Sequence, residues 1–180
     1  SKEKFVSLCK EWAKEYSKEL YDLIESDEEK FTKIINIERE QEKPRKDYEK
    51  YSDVLPKISF FYNSYYEKMM EEKTLEWNPF IDRNLIKEML EEFKSSMDYS
   101  LDEQAWFASL KALGVKHGFA ENFKLYKKDK DAYKGHVGDV AEMVRIALTS
   151  SKQSPNLYQV LHILGKEEVD RRIELAVSKL

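Results

Sequence analysis

The side chains of this sequence that could do chemistry are mostly charges and rings. From Gly118 to Lys134, five lysines (Lys124, Lys127, Lys128, Lys130 and Lys134) are interleaved with Phe119, Phe123, Tyr126 and Tyr133. The 180 residues carry a formal net charge of −4, which taken whole argues against nucleic acid. The distribution argues otherwise. Residues 1–103 hold 18 Lys/Arg against 26 Asp/Glu, residues 104–156 hold 9 against 5, and residues 157–180 hold 4 of each. A basic segment in an acidic chain is what a local phosphate contact needs, although an ordinary solvated helix surface has the same composition. Catalytic chemistry finds no footing. His117, His136 and His162 are too scattered for a zinc signature, and His136 with Asp139 reads as a helix cap rather than a metal pair. The carboxylates are abundant but form no dyad, and no glycine-rich phosphate loop is present. The single Cys9 forms no internal disulfide and reads as a buried thiol in a reducing, cytoplasmic setting.

The elements that must position these groups are helical. Charged residues make up 37% and aromatics 13%, with five Gly and four Pro, so breakers are few and Glu, Lys and Leu many. No apolar run approaches the ~18 residues of a membrane span. Residues 2–25 read as one helix with Phe5, Leu8, Trp12, Tyr16, Leu20 and Leu23 on its apolar face. Ser26 with Glu29, and Ser100 with Glu103, read as capping boxes that open helices. The helix after Ser26 ends near Pro44, and another opens at Ser52-Asp53. Ile58, Phe61, Tyr62, Tyr65, Tyr66 and Met69 form an aromatic stripe; single-stranded RNA stacks on such rings, but their helical spacing favours core packing. Leu85, Ile86, Met89, Leu90, Phe93 and Met97 face the core from the next helix, and a boundary between two subdomains is expected near Met97–Tyr99.

The stretch from Gly135 to Glu167 organises the rest. Val137, Val140, Val144 and Leu148 recur at helical spacing, and a short polar connection, Thr149 to Gln153, makes the flanking helices neighbours. Ser154-Pro155 reads as an N-cap followed by proline at the first helical position, and Gly165 as the stop. Arg145-Ile146-Ala147-Leu148-Thr149, a polar turn, Ser154-Pro155-Asn156-Leu157 and Leu164-Gly165-Lys166-Glu167 together resemble the C-terminal anticodon-binding region of bacterial glutamyl-tRNA synthetases. The sequence departs from the family pattern at Ser150, where glycine usually follows the threonine, and at Met143-Val144, where Pro-Leu is common. A looser resemblance runs through Ile37-Glu38-Arg39, Pro44-Arg45-Lys46-Asp47, Ser52-Asp53-Val54 and Phe60-Phe61-Tyr62. The whole match spans roughly residues 30–177. His162-Ile163-Leu164-Gly165 is only superficially similar to the His-x-Gly-His signature of class I synthetases, because the second histidine is missing and the stretch lies late in a helix.

The resemblance implies an all-α chain of two packed helical subdomains, 1–98 and 99–180, that reads the anticodon of tRNA-Glu as the C-terminal part of a longer glutamate–tRNA ligase. The leading Ser1 fits such a piece. Residue by residue, it implies that Arg145, Ser154 and Leu157 face the anticodon, and that Arg45, or alternatively Arg39, distinguishes its last base. Lys124, Lys127 and Lys128 would join them on one concave side. The ATP and magnesium of the parent ligase have no site here, so no cofactor is expected in this fragment, and the chain is expected to be a cytoplasmic monomer. Each assignment has a structural alternative: Arg145 paired with Glu142, Ser154 serving only as a cap, Leu157 only as core. The competing class is a helical protein-interaction module without RNA contact, whose basic residues would be spread around the surface.

Overall fold

The computed structural model describes residues 1–37 and 48–180. Arg39, Arg45 and the expected helix end at Pro44 lie outside the described residues. Those described form eleven α-helices and three 3-10 turns, with no strand beyond an isolated bridge between Ala120 and His136. The chain divides into two compact units, Ser1–Tyr65 and Tyr66–Leu180.

The first unit holds α1 (Lys2–Tyr16), α2 (Lys18–Ser26) and α3 (Glu28–Ile35), which pack on one another, followed by α4 (Val54–Ile58) between 3-10 turns at Tyr51–Asp53 and Ser59–Phe61. The single helix expected over residues 2–25 is broken at Ser17. That residue's N–H donates to the Ala13 carbonyl while its hydroxyl accepts from the Leu20 N–H, so one serine both ends α1 and caps α2. The next cap is Asp27, one residue past the expected Ser26, its carboxylate accepting from Lys30 N at 2.9 Å. The buried stripe of α1 is Val6, Cys9 and Ala13, continued by Leu20 and Ile24 on α2, whereas Leu8 and Tyr16 are exposed. Small residues on that stripe let α1 and α2 approach closely, which a face of Leu, Trp and Tyr would prevent. Burial pushes the Cys9 thiol up to about 11, so it is an inert packing group. Ile58, Phe61 and Tyr62 are buried, in keeping with core packing for this part of the aromatic stripe. The helix expected from Ser52 onward is interrupted by extended backbone at Tyr62.

The second unit contains most of α5 (Asn63–Glu72), then α6 (Arg83–Ser96), α7 (Glu103–Lys116), α8 (Phe123–Lys128), a 3-10 turn at Lys130–Ala132, α9 (Val137–Thr149), α10 (Leu157–Leu164) and α11 (Lys166–Ser178). Its beginning at Tyr66, rather than near Met97–Tyr99, follows from packing: α6 lies against α9 and α11 as well as α7. The cap of α7 is Asp102, not Ser100, with its carboxylate 2.8 Å from Ala105 N. One core joins Tyr66, Met70, Trp77, Ile86, Leu90, Phe93, Trp106 and Leu110 to Val140, Val144, Leu148, Leu161, Val169 and Ile173. Gly165 ends α10 at φ +78°, ψ 162°, a positive-φ extended geometry costly for any side chain, and α11 starts at the next residue.

A charged side chain lies inside this core. Arg172 is 0% exposed. Its Nε donates to Glu168 Oε1 at 2.8 Å, its Nη1 donates to the Leu148 carbonyl at 2.8 Å, and its guanidinium lies 3.9 Å from the centre of the Tyr66 ring. The Tyr66 hydroxyl donates to the Ala147 carbonyl at 2.6 Å. Two of the last carbonyls of α9, which no helical N–H can satisfy, are thus held by side chains from elsewhere in the unit.

Candidate nucleic-acid interface

The C-terminal half of α9, the turn after it and the start of α10 are fixed by a chain of polar side chains. Thr149 Oγ1 donates to the Arg145 carbonyl at 2.8 Å and accepts from Ser151 N at 3.2 Å. Ser150 closes α9 in the left-handed conformation, φ +63° and ψ +10°. At this position the sequence departs from the glycine of the family pattern, so the turn keeps glycine-like geometry with a residue that adopts it at a cost. Ser151 Oγ then accepts from Gln153 N, and Lys152 pairs with Glu76 at 3.4 Å.

Ser154 is not the helix cap. Asn156 is, two residues later, with its side-chain oxygen 3.0 Å from Gln159 N. The Ser154 hydroxyl instead accepts from Arg145 Nε at 2.8 Å and donates to the Pro155 carbonyl at 2.8 Å. Arg145 and Ser154 are therefore brought together. Arg145 makes no ion pair with Glu142. That carboxylate only offsets, through space, the burial that lowers the guanidinium's affinity for its proton. Of the five guanidinium N–H donors one is used, and among the described residues Nη1 and Nη2 have no hydrogen-bond partner. The result is a half-buried planar cation, held by one edge and open at its fork.

Leu157 lies elsewhere. It is 5% exposed and part of the core of the second unit, so in this structure it packs the start of α10 and presents almost no face to a base. Lys124, Lys127 and Lys128 are exposed on α8, a six-residue helix without an acidic residue. They sit beyond the N-terminus of α9, whereas Arg145 is near its C-terminus. Nine residues of helix separate His136 from Arg145, about 14 Å along the axis and half a turn around it. His136 does cap α9: Asp139 Oδ2 accepts from His136 N at 2.9 Å, and His136 Nδ1 accepts from Gly138 N at 3.0 Å. Among the described residues no group of three or more His, Cys, Asp or Glu is placed to hold a metal ion, and no helix is long and apolar enough to cross a membrane.

A family model described as an anticodon binding domain matches residues 4–177. The chain belongs to the anticodon-binding domain family. Its relatives include the glutamate–tRNA ligases of Clostridium perfringens (strain 13), 38% identical over 162 residues and 90% of this chain, and of Acetivibrio thermocellus, 33% identical over 172 residues and 96%. The ligase of Sorangium cellulosum is 35% identical over 164 residues, 91% of this chain. The matches cover 30%, 31% and 28% of those ligases, so the chain spans about a third of the length of the relatives it matches, in their C-terminal part. No solved structure matches.

Seen as an anticodon-binding domain, the molecule has a supporting residue that sequence reasoning passed over. Arg172 shares the stripe of Val169, Ile173 and Ala176 on α11, all of them buried. An arginine on an apolar stripe, with Glu168 four residues before it, was a readable signal of a buried charge. Glu168 is drawn in two directions: desolvation raises its pKa, but hydrogen bonds from Arg171 and Arg172 outweigh this and leave it lowered. This network fixes the end of α9, and with it the turn that carries Ser154.

Proposed function

We propose that this chain recognises the anticodon of tRNA-Glu as the C-terminal part of a glutamate–tRNA ligase. The reading is supported by the family, by the ligase relatives that match only this region, and by one observation in particular: Arg145, clamped at Nε by Ser154, keeps both amino groups open. A base edge or a phosphate offers paired acceptors, and a guanidinium fork meets them with two parallel N–H donors that a lysine does not have. Preorganisation matters here because ordering a free arginine on binding offsets part of what the contact contributes. Ser154 acts on the arginine and not directly on RNA, and Leu157 sets the entry angle of α10. Lys124, Lys127 and Lys128 supply electrostatic attraction without sequence information. Arg45 and Arg39 remain the candidates for the last anticodon base. The catalytic step belongs to the remaining two thirds of such a ligase.

Nuclease footprinting tests the reading. With a tRNA-Glu transcript, the chain is expected to protect the anticodon loop from single-strand cleavage and to leave the acceptor end open. Protection of the acceptor end, or none at all, would overturn it.

A further inference from the structure

Residues 121–134 leave the helical body as an ear closed at its neck. Gly118, at φ +89°, lets the chain turn off α7, and Phe119 N returns to the Gly114 carbonyl. The neck is tied by Lys134 N to the Gly118 carbonyl at 3.0 Å, Ala120 N to the Gly135 carbonyl at 2.9 Å and Val137 N to the Ala120 carbonyl at 3.0 Å, with Phe119 buried beneath it. The ear and His136, just past its neck, bring three rings into a triangle. The centroids of Phe123, Tyr126 and His136 lie 6.3, 5.1 and 5.5 Å apart, and Phe123 is 53% exposed. Lys127 Nζ lies 5.5 Å from the Phe123 ring centre and Lys130 Nζ 6.0 Å from that of Tyr126. Acidic residues lie at Glu121 before α8 and at Asp129 and Asp131 after it, and the Asp139 carboxylate lies 3.6 Å from His136 Nε2.

We propose that this ring triangle is a stacking platform for one unpaired nucleotide of the tRNA, separate from the Arg145 fork. A purely anchoring cluster would turn its largest apolar ring inward, yet here Phe123, in contact with His136 and Tyr126, stays 53% exposed with the Lys127 ammonium over its ring. An unpaired base has a π-face to lay on that ring, and the phosphates on either side of it meet Lys124 and Lys127, which have no acidic neighbour on α8. A protein partner would gain little from two lysines set over the rings of an aromatic spot unless it were itself strongly acidic. The site lies about 14 Å along α9 from Arg145 and half a turn around it, so it takes a different nucleotide from the one at the fork. The inference rests on the tRNA reading above and adds a contact that reading does not require.

The test uses the whole 180-residue chain and the 17-nucleotide anticodon stem-loop of tRNA-Glu as probe. Phe123→Ala is expected to weaken binding about 5- to 150-fold, the effect of losing one stacked base, with the salt dependence unchanged. Lys127→Ala is expected to reduce the slope of log K against log salt by about 0.7, the loss of one single-strand phosphate contact. Phe123→Trp should restore affinity, and its added fluorescence should be quenched as the stem-loop saturates. Because Phe123 is half exposed, these variants are expected to melt with the parent. Binding of the stem-loop with Phe123→Ala within twofold of the parent, and no quenching in Phe123→Trp, would overturn the platform and leave the anticodon reading standing. No binding by the parent itself would overturn both.

Discussion

The contact most open to measurement is the bond from Arg145 Nε to Ser154 Oγ. A hydrogen bond to a charged group contributes roughly 1.5–3 kcal/mol when buried. Both partners are only partly buried, so about 0.5–1.5 kcal/mol is the expected stability cost of Ser154→Ala. Arg145→Ala removes the same bond but leaves the serine hydroxyl, which can still donate to the Pro155 carbonyl, so its cost should be no larger. The two changes should couple in a double-mutant cycle, because each deletes the same contact. The cycle run on RNA affinity separates the roles. If the serine acts by holding the guanidinium, Ser154→Ala weakens binding only while Arg145 is present, and Arg145→Ala weakens it by about 1–3 kcal/mol for a base-edge contact. Urea melts and anisotropy titrations with the anticodon stem-loop would supply both cycles. An Arg145→Ala chain that loses stability but binds normally per folded molecule, with an unchanged salt slope, would show that the arginine is structural.

Other expectations follow from single features. Ser150→Gly relieves a left-handed backbone worth about 1–2 kcal/mol but adds about 0.5–1 kcal/mol of unfolded-chain entropy. A net gain of up to about 1.5 kcal/mol in the melt is expected, and a clear loss would show that the Ser150 side chain matters more than its backbone. Glu168 has a pKa lowered below the ordinary 4.5, because Arg171 and Arg172 overcome its desolvation. Its contribution to stability is therefore present above the unfolded-state value and lost as pH falls through the folded one. The melting temperature should drop steeply below about pH 4.5, and Glu168→Gln should be less stable at pH 7 with a shallower acid slope; an unchanged slope would remove Glu168 from the network. Arg172→Ala leaves the Glu168 carboxylate and the Leu148 carbonyl short of a donor in the core, so a loss of about 3–5 kcal/mol is expected, and a loss under 1 kcal/mol would contradict the description of the α9 end.

The helical class was legible because amphipathic spacing and the scarcity of breakers do not depend on the tertiary contacts that decide details. Caps were legible only as neighbourhoods. Ser26, Ser100 and Ser154 each stood within two residues of the true cap, Asp27, Asp102 or Asn156, because several short polar side chains compete and backbone geometry chooses among them. For Ser154 the error had a functional side: the hydroxyl is engaged by Arg145, a partner nine residues away that a local rule does not weigh. The buried face of α1 differs from the expected one because close helix packing selects the small Cys9 and Ala13 over larger side chains. Leu157, a contact residue by the resemblance, is buried in the core of the second unit, the alternative that the sequence leaves open. The ring triangle went unread because Phe123 and Tyr126 meet His136 only across the closed neck of the ear.

Whether this chain reads an anticodon is tested by its binding to RNA at two salt concentrations. The 180-residue chain would be titrated with the tRNA-Glu anticodon stem-loop, and with the same hairpin carrying a substituted anticodon, at about 50 and 200 mM salt. The expected result is affinity that falls with salt for both hairpins, as phosphate contacts require, and a preference for the Glu anticodon that persists at the higher concentration, as base contacts require. Equal affinity for the two hairpins, or binding indifferent to salt, would contradict anticodon reading.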